Sequence, residues 1–150
     1  MEEVIGTLPL PAVLLLEDRG DVRVVVEAML RRRGVSCDAA ASLAEARALL
    51  AGRLYDILIV DVNLPDGRGL SVLTTGPDAP LAVVMTGDDR ESTSHEALRA
   101  GAADVIAKPF GVAEFLRHFD AVFERWRIRW NGRTRQVSGP FPGGDPIREG

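Results

Sequence analysis

The sequence predicts a doubly wound α/β domain, a five-stranded parallel sheet with helices on both faces. Three observations carry the prediction. Short, nearly continuous apolar runs recur along the chain, as in strands buried on both faces. Segments with helical three-and-four spacing separate them. The two patterns alternate strictly, and parallel neighbours need such crossovers.

Strand one is AVLLLED, Ala12 to Asp18, an apolar run that ends in two acids. After Gly20, the stretch DVRVVVEAMLRRR puts Val22, Val25, Val26, Met29 and Leu30 on one helical face, with Asp21 near its start, arginines at its end and Gly34 as its stop. Val35 to Ala40 reads as a short strand. Ser42, with Glu45 three residues on, forms a capping box that opens the helix SLAEARALLAG, closed by Gly52. DILIVD, Asp56 to Asp61, repeats the logic of strand one. NLPDGRG is turn chemistry, and Pro77 and Pro80 leave room for only a brief third helix. LAVVMT, Leu81 to Thr86, is the fourth strand, ESTSHEALRAG the fourth helix and ADVIA the fifth strand. A fifth helix begins near Gly111, after Pro109.

The 150 residues suit a single core, and the expected domain is 11–130, with 1–10 an N-terminal extension. Residues 131–150 are rich in Gly, Pro and Arg without periodicity, so they read as a disordered tail with no output domain after it. The net charge of -4 argues against a nucleic-acid partner, which needs a broad basic surface. Cys37 is the only cysteine, so neither an intramolecular disulfide nor a cysteine zinc cluster is available, and a reducing cytoplasm fits. The acidic start is unlike a signal peptide, and no apolar run approaches the roughly 18 residues of a membrane span. The expected location is cytoplasmic.

In doubly wound sheets, ligands bind outside the carboxyl ends of the strands. Those ends carry Glu17 and Asp18, then Asp61, Thr86 and Lys108. Converging carboxylates repel unless a cation neutralises them, and a hard divalent ion with oxygen ligands does so. Magnesium, which binds few carboxylates and shares itself with phosphate oxygens, makes phosphoryl chemistry the expectation. Lys108 is the only lysine, while the other 17 basic residues are arginines. A compact point charge is thus placed where a planar guanidinium would fit differently.

With these motifs in order (LLLED, IVDVNLPDGRGL, VVMTGDD, IAKPF), the chain from about Ala12 to about Arg127 resembles the receiver domains of two-component response regulators, the group that includes the chemotaxis regulator. The resemblance implies a flavodoxin-like fold with strand order 2-1-3-4-5. It implies that Asp61 accepts a phosphoryl group from a histidine kinase or a histidine phosphotransfer protein. It also implies that Asp18, Asp61 and the Asn63 backbone carbonyl bind Mg2+ directly, that Glu17 assists through water, and that Thr86 and Lys108 contact the phosphoryl group. Two competing readings are a receiver that no longer phosphorylates and serves as a binding module, and an aspartyl-phosphate phosphatase. The phosphatase needs a second acid two residues after the nucleophile, where this chain has Asn63.

Two positions depart from the family pattern. Val105 stands where the family often has an aromatic switch residue, so the signal is expected to travel through the segment Gly87 to Ser94 instead. Arg19 follows the acidic pair, as a solvated loop residue, a phosphoryl contact or a partner of Asp88. Asn63 and Asp88 either tune acyl-phosphate lifetime or are ordinary turn and loop residues. Six of the eight aromatic residues lie between Phe110 and Trp130. Trp126 and Trp130 reach past what one sheet needs, which predicts aromatic surface for a homodimer through the fourth and fifth helices. The arginines at 125, 127, 129, 133 and 135 make a solvated basic run or a guide for an acidic partner. His95 and His118 are assigned to the surface.

Overall fold

The computed structural model describes residues 9–88 and 90–137. Its strands are β1 (Val13–Leu16), β2 (Cys37–Ala40), β3 (Ile57–Asp61), β4 (Leu81–Thr86) and β5 (Ala102–Ala107). Its helices are α1 (Gly20–Arg31), α2 (Leu43–Gly52), α3 (Glu91–Arg99) and α4 (Val112–Val137). All strand pairs in the main sheet are parallel, in the order β2-β1-β3-β4-β5, which is the predicted doubly wound, flavodoxin-like topology.

Alternation along each strand divides the core in two, since successive side chains leave opposite faces of a sheet. Val13, Leu15, Ile57, Ile59, Val83 and Met85 meet Val26 and Leu30 of α1 and Phe115, Phe119 and Val122 of α4. Leu14, Leu16, Leu58 and Val60 meet Leu43 and Ala46 of α2. A smaller cluster of Val62, Leu70 and Val84 lies under Ala97 of α3. Both faces of β3 are therefore covered, and only its carboxyl end, Asp61, reaches the rim.

The brief third helix is a single 3-10 turn, Gly69–Val72, preceded by a small antiparallel hairpin that pairs Asn63–Leu64 with Gly67–Arg68. Two expectations change. The last helix runs to Val137, seven residues into the segment expected to be disordered. A well-anchored helix absorbs one interior glycine such as Gly132 at a cost of about 1 kcal/mol. The remaining tail, like residues 1–8, lies outside the described residues. Finally, Trp126 is only 5% exposed and Trp130 is partly buried against the same core, so these rings leave little aromatic surface free. Phe115, Phe119, Phe123 and Trp126 instead form a continuous ladder with centroids 5.7–6.2 Å apart. The sheet accommodates a longer covering helix than its strand lengths suggest, because Arg129 Nη1 donates to the Ala79 carbonyl at 2.6 Å and ties the helix to the chain entering β4.

Candidate functional site

β1 ends one residue before Glu17, and Asp61 is the last residue of β3, so neighbouring parallel strands deliver the acids side by side. Glu17, Asp18 and Asp61 each offer a carboxylate oxygen within 4.8 Å of the others. Glu17 is fully buried, Asp61 is 8% exposed and Asp18 faces solvent. Hard, anionic donors at this spacing fit a magnesium-sized ion that retains several waters.

Lys108 enters just after β5, and its backbone N–H donates to the Thr86 carbonyl at 2.7 Å. Its Nζ donates to Glu17 Oε1 at 2.8 Å and to Asp61 Oδ2 at 3.3 Å. Burial pushes the Glu17 carboxyl above its usual range; hydrogen bonds from Lys108 and the Arg19 N–H oppose this, while the charge of Asp61 adds to it. For Lys108, burial acts downward but is outweighed by the Glu17 hydrogen bond and the charges of Asp61 and Glu17, so its affinity for the proton rises. The ammonium therefore stays charged between two acids, one buried and one at the rim.

Arg23, on the first turns of α1, donates from Nη1 to the Glu17 carbonyl at 2.8 Å, a grip on the acidic strand end that the sequence did not reveal. Asn63 is exposed and lines, with Arg19, Val22, Val25 and Phe110, a cleft of about 600 Å³ beside Asp61 and Lys108. Thr86 ends β4, but its hydroxyl is engaged by its own loop: it accepts from the Asp88 N–H at 2.9 Å and donates to the Asp88 carbonyl at 3.1 Å. The Asp88 carboxylate accepts from Thr93 Oγ1 at 2.9 Å and from the Arg90 guanidinium, which holds its proton affinity well below the usual carboxylate range.

Arg19 does not pair with Asp88. It forms a bidentate pair with Asp21, at 2.8 and 3.2 Å, because a carboxylate two residues along costs little chain ordering to reach. Val105 is half-buried against Val62, Leu70, Val84 and Ala97 and fills the space beneath α3. His95 is exposed on α3. His118 lies away from the rim, with Nδ1 2.6 Å from Asp104 Oδ2.

A doubly wound sheet that gathers three carboxylates and a lysine where β1, β3 and β5 end defines a phosphoacceptor class of domain. The family model for the response regulator receiver domain matches residues 13–120, and the chain belongs to that family. It is 35% identical to the Pseudomonas aeruginosa response regulator protein PilR over 100 residues, covering 64% of this chain and 22% of that protein. It is likewise 35% identical to the Salmonella typhimurium virulence transcriptional regulatory protein PhoP over 116 residues, covering 75% of this chain and 52% of that protein. The chain thus spans about half or less of the length of these relatives. Among solved structures, the beryllofluoride-activated NtrC4 receiver domain dimer matches with a TM-score of 0.70 and 28% identity, covering 77% of this chain and 98% of that one. A CheY-like receiver domain protein from Methanospirillum hungatei matches with a TM-score of 0.69 at 22% identity, over 79% of this chain and 97% of that one, a likeness of fold. The chain is a receiver domain of the two-component type, a signalling domain. Among the described residues, no helix is long and apolar enough to cross a membrane.

Proposed function

We propose that Asp61 is the residue that takes the phosphoryl group. The observation that carries this reading is the position of its carboxylate, at the rim yet nearly buried, 3.3 Å from Lys108 Nζ and grouped with Glu17 and Asp18. One Asp61 oxygen attacks phosphorus in line, the bond from phosphorus to the donor's imidazole nitrogen breaks, and the leaving imidazole keeps the electron pair and takes a proton; an acyl phosphate results. Lys108 neutralises an oxygen of the transferring group and can follow it by leaving Asp61 while keeping Glu17. Asp18, Asp61 and the Asn63 carbonyl, with Glu17 through water, would hold Mg2+, which when bound supplies further neutralisation of the phosphoryl oxygens. The domain promotes only its own phosphorylation and dephosphorylation.

The donor is a histidine kinase or histidine phosphotransfer protein in the cytoplasm, and its approach is over α1. Val24 and Val25 are 63% and 50% exposed there, and Val25 borders the cleft that leads to Asp61. On the output side, drawing the Thr86 hydroxyl toward a phosphoryl group breaks its bonds to Asp88, and Asp88 is joined through Thr93 to the first turn of α3. That route needs no aromatic ring at Val105. A homodimer through α3 and α4, whose Leu98 and Ile128 are 50% and 63% exposed, is the candidate output; light scattering that gives a monomer with and without beryllofluoride would reject it.

The central test is incubation with Mg2+ and acetyl phosphate. The intact chain should gain one hydroxylamine-labile phosphate and Asp61→Asn none. Equal labelling of both, or labelling of neither, defeats the assignment.

A further inference from the structure

The segment after Asp61 is held by contacts that the proposed phosphoryl chemistry does not use. At the tip of its hairpin, Asp66 Oδ1 accepts the Leu43 N–H at 2.9 Å and Oδ2 accepts the Ala44 N–H at 3.1 Å. These are free donors of the first turn of α2, a helix that already has its own cap, since Ser42 Oγ accepts the Glu45 N–H at 3.2 Å. A cap brought from 23 residues away adds a tether between α2 and the hairpin. Beside it, a Cβ on Gly67 would lie 2.7 Å from Leu43 Cδ1, so the hairpin sits hard against α2. A second strut runs from Arg47 Nη2 to Ser71 Oγ at 3.0 Å and from Ser71 Oγ to the Arg68 carbonyl at 2.8 Å.

We propose that Asp66 is a positioning residue for the acidic site, anchoring the hairpin to α2 so that Asn63, its first residue, keeps its carbonyl in place beside Asp61. The proposal rests on the reading of the Asn63 carbonyl as an ion ligand. Asn63 is itself exposed, and it is separated from the anchor only by Leu64 and Pro65. Loss of the anchor should therefore let the ligand carbonyl drift while the buried acids, fixed by the sheet, stay where they are. Removing a partner that orients a metal ligand typically weakens metal affinity by about 10–100-fold.

The experiment compares the full chain with Asp66→Ala, Asp66→Asn and Ser42→Ala. It follows Mg2+ binding by calorimetry and amide exchange at residues 62–69. Asp66→Ala should weaken Mg2+ binding about tenfold and speed hairpin exchange. Asp66→Asn keeps one of the two acceptor oxygens and should give an intermediate loss of both. Ser42→Ala removes the local cap of the same helix and should move neither. If Asp66→Ala leaves exchange and Mg2+ affinity unchanged, or if Ser42→Ala lowers affinity equally, Asp66 is only a helix cap and the proposal is overturned. An unsubstituted chain that binds no Mg2+ would overturn the reading of the site and the proposal with it. Loss of Mg2+ affinity confined to the Asp66 variants leaves the reading standing and supports the proposal.

Discussion

Gly69→Ala should damage both the stability of the domain and its phosphoryl transfer through a single contact. A Cβ at this position would lie 1.9 Å from the Asp61 carbonyl oxygen, 2.6 Å from Val60 Cγ1 and 3.0 Å from the Asp61 carbonyl carbon. Carbon and carbonyl oxygen normally approach to about 3.3 Å, so β3 and the 3-10 turn must separate by roughly 1.4 Å. Two of the three opposing atoms are backbone, which cannot rotate away, and the Gly69 N–H is already committed to the Val62 carbonyl at 2.7 Å. Overpacking of this kind costs about 1–3 kcal/mol, and the rigid opponent places this case near the upper end. With a urea slope of about 1.5 kcal/mol/M, 3 kcal/mol lowers the unfolding midpoint by about 2 M. The displaced strand end carries the Asp61 carboxylate, the proposed acceptor, and a misplacement of about 1 Å costs on the order of 100-fold in rate. Urea titration and labelling by acetyl phosphate read the two effects separately. Gly52→Ala is the control: it ends α2, has no atom within 4 Å of the added Cβ, and should shift stability by no more than about 1 kcal/mol, upward. A Gly69→Ala domain with the midpoint and labelling rate of the unsubstituted chain would refute the reasoning.

Lys108→Ala strands Glu17, which is 0% exposed, without its cation, and should cost about 3 kcal/mol in chelator; Glu17→Gln added to it should restore most of the loss, and failure to do so would show that charge burial is not the cause. Tyr55, the only tyrosine, donates to Asp38 Oδ2 at 2.6 Å, and burial first, then that hydrogen bond, push its phenol up to about 12. Because the folded value is the higher one, Tyr55 contributes stability that is complete below pH 10.0, its ordinary value, and fades as pH rises through about 12. Phenolate absorbance should therefore titrate late in the folded chain, and Tyr55→Phe should flatten the alkaline fall in stability. Burial likewise raises the Cys37 thiol to about 11, so thiol reagents at neutral pH should modify it far more slowly than the unfolded chain, a comparison of two rates.

The elements most legible in the sequence were those fixed by burial on both faces. β1, β3 and β4 announce themselves as unbroken apolar runs, and the parallel order of β1 and β3 sets Glu17 and Asp18 beside Asp61, which is why the sequence alone brings these acids together. The place of Lys108 at the rim was legible because one lysine stands among arginines, whereas its hydrogen bonds to Glu17 and Asp61 were not. What escaped depends on contacts without a sequence period. Asp66 looks like any turn acid in PDG, and nothing in its spacing says that it caps a helix begun 23 residues earlier. The bonds of the Thr86 hydroxyl to the Asp88 main chain, two residues on, likewise leave no signal in the sequence. Trp126 and Trp130 exceed a helix matched to the strand lengths, and the Arg129 tether to Ala79, which has no sequence period, decides how far α4 stays on the sheet.

The solitary lysine also makes the site spectroscopically and chemically addressable without introducing a probe. Its ε-amine is the only side-chain amine in the molecule, and it lies between Glu17 and Asp61. Growth on nitrogen-labelled lysine gives a single side-chain ammonium resonance, placed beside the proposed phosphoryl acceptor. An amine-directed reagent meets only Lys108 and the chain's α-amine, and because the Lys108 ammonium is held charged by Glu17 and Asp61, its acylation at neutral pH should be slow and should quicken when either acid is replaced by its amide.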